Sequence, residues 1–145
     1  MIDTRTAPYG LFLLRVALGV MFIAHALLKY VVFTMPGFAG FLGQIGYPAA
    51  LAWPIFLAEL FGGIALVLGV WSRAVALVLT PVLVGAFLVH AGNGWLFTNA
   101  NGGWEYPLFL VVAGLAIVLG GDGAFALRPT PVPGAAPAAL SARTA

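Results

Sequence analysis

The sequence contains no cysteine. Thiolate metal sites, structural disulfides and dithiol redox chemistry are therefore excluded within this chain. Charge is almost as scarce. Only 7% of the 145 residues are charged, against roughly 25% in a water-soluble domain. With 63% of residues hydrophobic, a single domain of this length cannot hide its apolar surface from water, so lipid is the expected solvent. The net charge of +2 is small and the six basic residues are scattered, which argues against nucleic acid as a partner. There is no HExxH, no CxxCH, no phosphate loop and no GxGxxG behind a strand.

What is present begins with Leu11 to Tyr30, LFLLRVALGVMFIAHALLKY. The run is long and apolar enough to span a bilayer, yet it carries Arg15, His25 and Lys29. A charge at the membrane centre costs roughly 2.5–3.5 kcal/mol on insertion scales. At 100° per residue the three fall within an arc of about 80°. The helix thus has one ionisable stripe, which should face a partner or a wet cavity. Ala24-His25-Ala26 has the small-x-small form of a signal-peptide cleavage site. Arg15 interrupts the apolar run, however, and the run continues to Phe33, so a retained span is expected.

Four spans are predicted, at about 10–33, 51–70, 74–91 and 105–120. Residues 1–9 form a polar N-terminus, and residues 122–145 a Pro/Ala-rich tail, largely disordered. Between the first two spans, glycines at 37, 40, 43 and 46 alternate with Phe38, Phe41, Leu42, Ile45 and Tyr47. That composition suits a short interfacial segment or one folded over the bundle mouth; a flexible connector is the plainer alternative. Pro54 and Pro107 fit first helical turns. Pro81, mid-span, predicts a kink. Gly62-Gly63 and Gly120-Gly121 offer close-packing surfaces.

An even number of spans puts both termini on one side. Arg5, Arg73, Arg128 and Arg143 lie there, and the two opposite loops hold no Lys or Arg. By the positive-inside rule the termini are cytoplasmic. The fold class expected is therefore an all-α, integral membrane four-helix bundle, in a bacterial cytoplasmic membrane. On that topology His25, Lys29, Glu59, His90 and Glu105 all belong to the outer half, and Arg15 to the inner half.

Each polar residue has a plain structural role open to it. Lys29 and Arg15 can snorkel, His90 can be a wet interfacial histidine, and Glu105 suits a helix N-terminus. His25 and Glu59 are deeper and harder to explain so. Several chemistries fit the cluster. His25 and His90 could ligate haem. Histidines with Glu59 and Glu105 could hold a divalent metal. An acid and a histidine beside an apolar cleft could bind a quinone and exchange protons with it, or relay protons in a transporter.

The residues also resemble the DoxX family of small bacterial membrane proteins. The resemblance runs from LLRVALGVMFIAHALLKY through GFAGFLGQIGYPA and AELFGGIALVLGVWSRAVAL to the GGWEYP segment. It covers residues 10–127, with Arg15, His25, Lys29, Glu59, Gly63, Arg73, His90, Gly103, Glu105 and Tyr106 on the recurrent pattern. It implies four membrane helices and an oxidoreductase role, through similarity to the DoxD subunit of a thiosulfate:quinone oxidoreductase. On that reading His25 and Glu59 are catalytic, exchanging protons with a quinone head group. Arg15 and Lys29 supply countercharge, and His90, Trp104, Glu105 and Tyr106 complete the ligand site. Without cysteine or a flavin motif, electrons need a redox partner protein. The alternatives are a non-catalytic anchor or assembly subunit of a redox complex, or a small proton-coupled transporter. A homo-oligomer is compatible with each.

Overall fold

The computed structural model describes residues 3–131. Five α-helices account for most of them. Helix α1 spans Ala7–Leu27 and continues through a π-helical turn at Leu28–Val32. Helix α2 spans Met35–Gln44, α3 Ala52–Leu68, α4 Ser72–His90 and α5 Glu105–Gly120. Three stretches are long and apolar enough to cross a bilayer: 7–32, 49–68 and 72–93. Helix α5 is apolar but 16 residues long, about 24 Å at 1.5 Å per residue. Among the described residues the only β-type pairing is an isolated bridge between Val70 and Arg128.

Helix α1 packs mainly on α3, and α4 on α5; the α3–α4 and α1–α5 contacts close the bundle. Small residues set the α1–α3 crossing. A Cβ on Gly19 would stand 2.7 Å from the Gly63 carbonyl oxygen, and one on Gly63 would stand 2.8 Å from that of Gly19. Only glycine at both positions permits this approach. Leu18, Phe22, Leu66, Leu79, Leu83 and Ile117 fill the centre of the bundle. Pro81 lies inside α4, which runs on unbroken to His90.

The connector after α1 is a helix rather than a flexible link. Met35, Phe38 and Leu42 recur at helical spacing and are buried against Ala26, Ala52 and Phe56. Thr34 turns the chain into α2 at φ 61°, and its hydroxyl accepts a hydrogen bond from the Gly37 N–H at 3.3 Å. A β-branched residue at positive φ is unusual, and the cap offsets part of that strain.

Residues 3–9 and 121–131 meet at one end of the bundle. Residues 121–131 fold back as a strap, where a short ordered lead-in to a largely disordered tail was expected. Ala124 N–H donates to Pro8 O at 2.8 Å, Arg128 N–H to Gly69 O at 3.0 Å, and Trp71 N–H to Arg128 O at 2.8 Å. Asp122 fastens the strap. Its carboxylate accepts from the Thr130 hydroxyl at 2.7 Å and from the Thr130 N–H at 2.9 Å. Burial pushes this carboxyl upward, but those bonds, with backbone N–H groups of Ser72 and Arg73 at the start of α4, outweigh it and hold it below its usual 3.8. The remainder of the expected tail, with Arg143, lies outside the described residues.

Candidate functional site

At the end of the bundle away from the termini, a cavity of about 760 Å³ lies between α2 and α4, with α3 behind it. Its walls are almost wholly apolar. Helix α2 contributes Gly37, Phe38, Phe41 and Leu42; α4 contributes Pro81, Val82, Gly85, Ala86 and Val89. Phe33, Ile45, Leu51 and Ile55 complete the greasy lining. The polar residues are four: Lys29, Glu59, Tyr47 and His90.

Lys29 and Glu59 form a two-pronged ion pair across the α1–α3 contact. The ammonium donates to both carboxylate oxygens, at 2.9 and 2.7 Å. The side chains are 15% and 6% exposed. Two features place Lys29 here. The π-helical turn beginning at Leu28 adds a residue to the helical turn, marked by the Phe33 N–H donating to Leu28 O at 3.1 Å. Such insertions occur often at functional sites. The ammonium also lies over the ring of Phe38, 5.4 Å from its centre, so α2 packs against the pair. A desolvated charge pair is a poor source of stability, so its retention in an apolar wall calls for another reason.

His90 sits on the wall near the end of α4. Its Nδ1 lies 3.0 Å from both the Asn101 and Gly102 carbonyl oxygens. Carbonyls accept only, so Nδ1 carries the proton and Nε2 is left as an acceptor. The loop after α4 is built to hold this ring. Asn93 donates to the same two carbonyls, and Gly102 adopts φ 75° directly beside the imidazole.

The other expected site residues lie elsewhere. His25 is outside the cavity lining. Its Nδ1 donates to Met21 O at 2.9 Å, one turn back, and its ring stacks on Tyr106 with centroids 6.3 Å apart. Arg15 is fully buried near the strap. It donates to Leu66 O at 2.6 Å, Val67 O at 2.9 Å and Ala124 O at 3.0 Å. The first two are carbonyls of the last turn of α3, so the guanidinium caps α3 and, through Ala124 O, ties down the strap. Glu105 accepts from the Phe97 N–H at 2.9 Å and so braces the loop. Trp104 packs edge-on against Trp95 and Phe87. Neither lines the cavity.

The structure also bears on which ligands the site suits. Among the described residues no three His, Asp or Glu gather where a metal ion could be held. His90 lines the cavity and His25 does not, so the two imidazoles do not face each other across it as axial ligands would. The residues that sequence reasoning passed over are the apolar ones: Phe33, Phe41, Pro81, Val82, Gly85 and Ala86. Their signal was the small pair Gly85-Ala86 one turn beyond Pro81, which opens one face of α4.

Comparison with known proteins is consistent with this architecture. The chain is 31% identical over 125 residues, 86% of its length, to "Putative oxidoreductase CatD" of Bacillus subtilis, of which 89% is covered. It is 35% identical over 122 residues, 83% of its length, to an uncharacterized protein of Haemophilus influenzae, again with 89% covered. No solved structure matches. Residues 10–92 match the DoxX family profile, and that stretch carries α1 to α4, the Lys29–Glu59 pair and every residue on the cavity wall. The chain is an integral membrane protein and belongs to the DoxX family.

Proposed function

We propose that this protein is the membrane subunit of a quinone-linked oxidoreductase, and that the α2–α4 cavity is where the quinone head group sits. The observation that carries this reading is the buried Lys29–Glu59 pair in an otherwise apolar wall. A quinone ring is apolar on its faces and needs hydrogen-bond donors only at its two carbonyl oxygens. The Lys29 ammonium has three donor hydrogens, and two are used by Glu59. The third is free for a carbonyl oxygen.

Reduction of a quinone to a quinol consumes two electrons and two protons. The Lys29 ammonium holds an exchangeable proton at the head-group end, and the Glu59 carboxylate can take up its replacement. His90, with its unbonded Nε2, stands between them and the loop end and takes up protons from water to pass inward. Met21 O and Tyr106 fix the His25 ring on the α5 side of α1. Electrons come from a partner redox protein, because this chain has no thiol and no flavin motif. The basic residues at the terminal end support a bacterial cytoplasmic membrane with the termini inside.

An anchor or assembly role is the second reading. It draws on the exposed Arg5 and Arg128 at the terminal end, a surface suited to an acidic soluble partner.

Quinone content tests the first reading. Protein purified in mild detergent is extracted with organic solvent, and quinone is counted per chain. The comparison is Lys29→Met/Glu59→Leu, which removes the pair without stranding a charge. Near-stoichiometric quinone in wild type, lost in the double variant, is expected. Equal trace amounts in both would remove the head-group assignment and leave the anchor reading.

A further inference from the structure

The head-group site accounts for only part of the space. At about 30 Å³ per water molecule, the 760 Å³ cavity has room for roughly 25 waters, well beyond a single substituted ring. Its polar groups are also unevenly placed, with the ion pair at the α1–α3 wall and, from there outward, apolar residues apart from Tyr47 and His90.

The cavity does not stop at its own boundary. A second cavity of about 290 Å³ is lined by Ile45, Tyr47, Leu88 and Val89. Ile45, Tyr47 and Val89 line the first cavity as well, so the two adjoin. The path leads from Lys29 and Glu59 outward between the end of α2 and the end of α4. It finishes at Leu88, which is 57% exposed. Helices α2 and α4 both pack on α3, and the space between them is this cleft. Phe33 and Phe41 line the cavity while each remains about half exposed, at 53% and 44%. In a membrane helix bundle such side chains face lipid. The cleft is therefore a side opening toward the bilayer.

We infer that the ligand is a tailed, membrane-dissolved quinone that enters sideways through the α2–α4 cleft and keeps its apolar tail there, between Ile45 and Val89. This rests on the head-group reading above. It adds the substrate class and the entry route. A water-soluble quinone fills only the inner part of the site and forfeits the tail contacts, which scale with apolar area.

Two ligands and two walls test it. The full chain is placed in phosphatidylcholine nanodiscs. Binding of a decyl-tailed benzoquinone is compared with that of the same ring without a tail. Val89→Trp narrows the cleft from α4, and Ile45→Trp narrows it from the segment after α2. Each variant is read as its ratio to wild type, so partition into lipid cancels. Helix content by circular dichroism checks folding, and variants on opposite walls guard against one failing to fold. The expected result is a loss of tenfold or more for the tailed ligand in both variants, with less than twofold for the bare ring. Equal losses for both ligands, or no loss for either, overturn the tail route while wild-type binding of the bare ring keeps the head-group site. If wild type binds neither ligand, the head-group reading fails and the tail route falls with it. Co-purification of phospholipid in the cleft in place of quinone also overturns it.

Discussion

Replacing Lys29 and Glu59 singly and together separates what the pair does for folding from what it does for function. The carboxylate is buried and its partner nearly so, at 6% and 15% side-chain exposure. Glu59→Leu strands an ammonium in an apolar wall. Breaking a buried pair this way costs about 3–5 kcal/mol. At about 2–4 °C per kcal/mol for a chain of this size, that is a fall in Tm of roughly 6–20 °C. Lys29→Met strands the carboxylate and moves Tm the same way. The double variant behaves differently. Exchanging a whole buried pair for apolar side chains of similar volume is commonly neutral, or stabilising by about 1–4 kcal/mol. Lys29→Met/Glu59→Leu should therefore melt at or above wild type, while losing its quinone. The assay is thermal unfolding in detergent followed by circular dichroism, with quinone extraction on the same samples. A double variant destabilised by the sum of the two singles would refute the reasoning, because the pair would then hold the fold together. A double variant that is stable and still full of quinone would refute the site.

Arg15→Lys should lower Tm and expose residues 121–131 to protease, since one ammonium cannot reach Leu66, Val67 and Ala124 together; each charge-assisted bond lost is worth about 1.5–3 kcal/mol. Its quinone content should be unchanged in the folded fraction, which a ligand role for Arg15 would contradict. Gly19→Val should disrupt the α1–α3 crossing, with overpacking costs of at least about 1–3 kcal/mol, whereas Gly85→Ala adds a Cβ that meets nothing within 4 Å and should hold or raise Tm; comparable losses would count against the crossing geometry. Asp122 has a depressed carboxyl pKa, so its contribution is present above its ordinary value and disappears as pH falls through the lower, folded one. Strap protection from protease should therefore persist at pH 5 and fade only below about pH 4, and Asp122→Asn should lose it at every pH; fading near neutral pH would mean that another group holds the strap.

The fold was legible in the sequence because lipid imposes a length rule. Apolar runs near twenty residues, with Trp71 and Arg73 at a turn and Pro54 and Pro107 in opening turns, leave few alternatives to four spans. The strap was not legible. GDGAFALRPT has no periodic apolar face, and its order comes from backbone groups that bond to Pro8, Leu68, Gly69 and Trp71. Those partners lie far away in sequence, so no local pattern announces them. The connector after α1 was half legible. Its aromatic residues suggested a segment over the bundle mouth, but four glycines argued against a helix, and burial of Met35, Phe38 and Leu42 outweighs that propensity.

The ionisable stripe on α1 shows where periodicity stops informing. Arg15, His25 and Lys29 do share a narrow arc, because one face of α1 is what the bundle buries. Arg15 and Lys29 both turn toward α3, and His25, at the edge of the arc, meets Tyr106 on α5. Periodicity reports direction around the helix and says nothing about company. Fourteen residues separate Arg15 from Lys29 in sequence, about 21 Å along an α-helix, too far for one head group to touch both. Arg15 meets backbone carbonyls through both terminal nitrogens of its guanidinium, leaving only its Nε without a partner. His25 meets its own backbone and a ring. Lys29 alone meets a charge beside empty apolar space. It stands at the start of a turn of π-helix, Leu28–Val32, whose extra residue shifts the directions of the residues that follow. Of three similar ionisable residues on one face, the one bordering the cavity is the one where the helix departs from regular geometry. That coincidence is the strongest structural reason to look for chemistry at Lys29 and Glu59 rather than along the whole stripe.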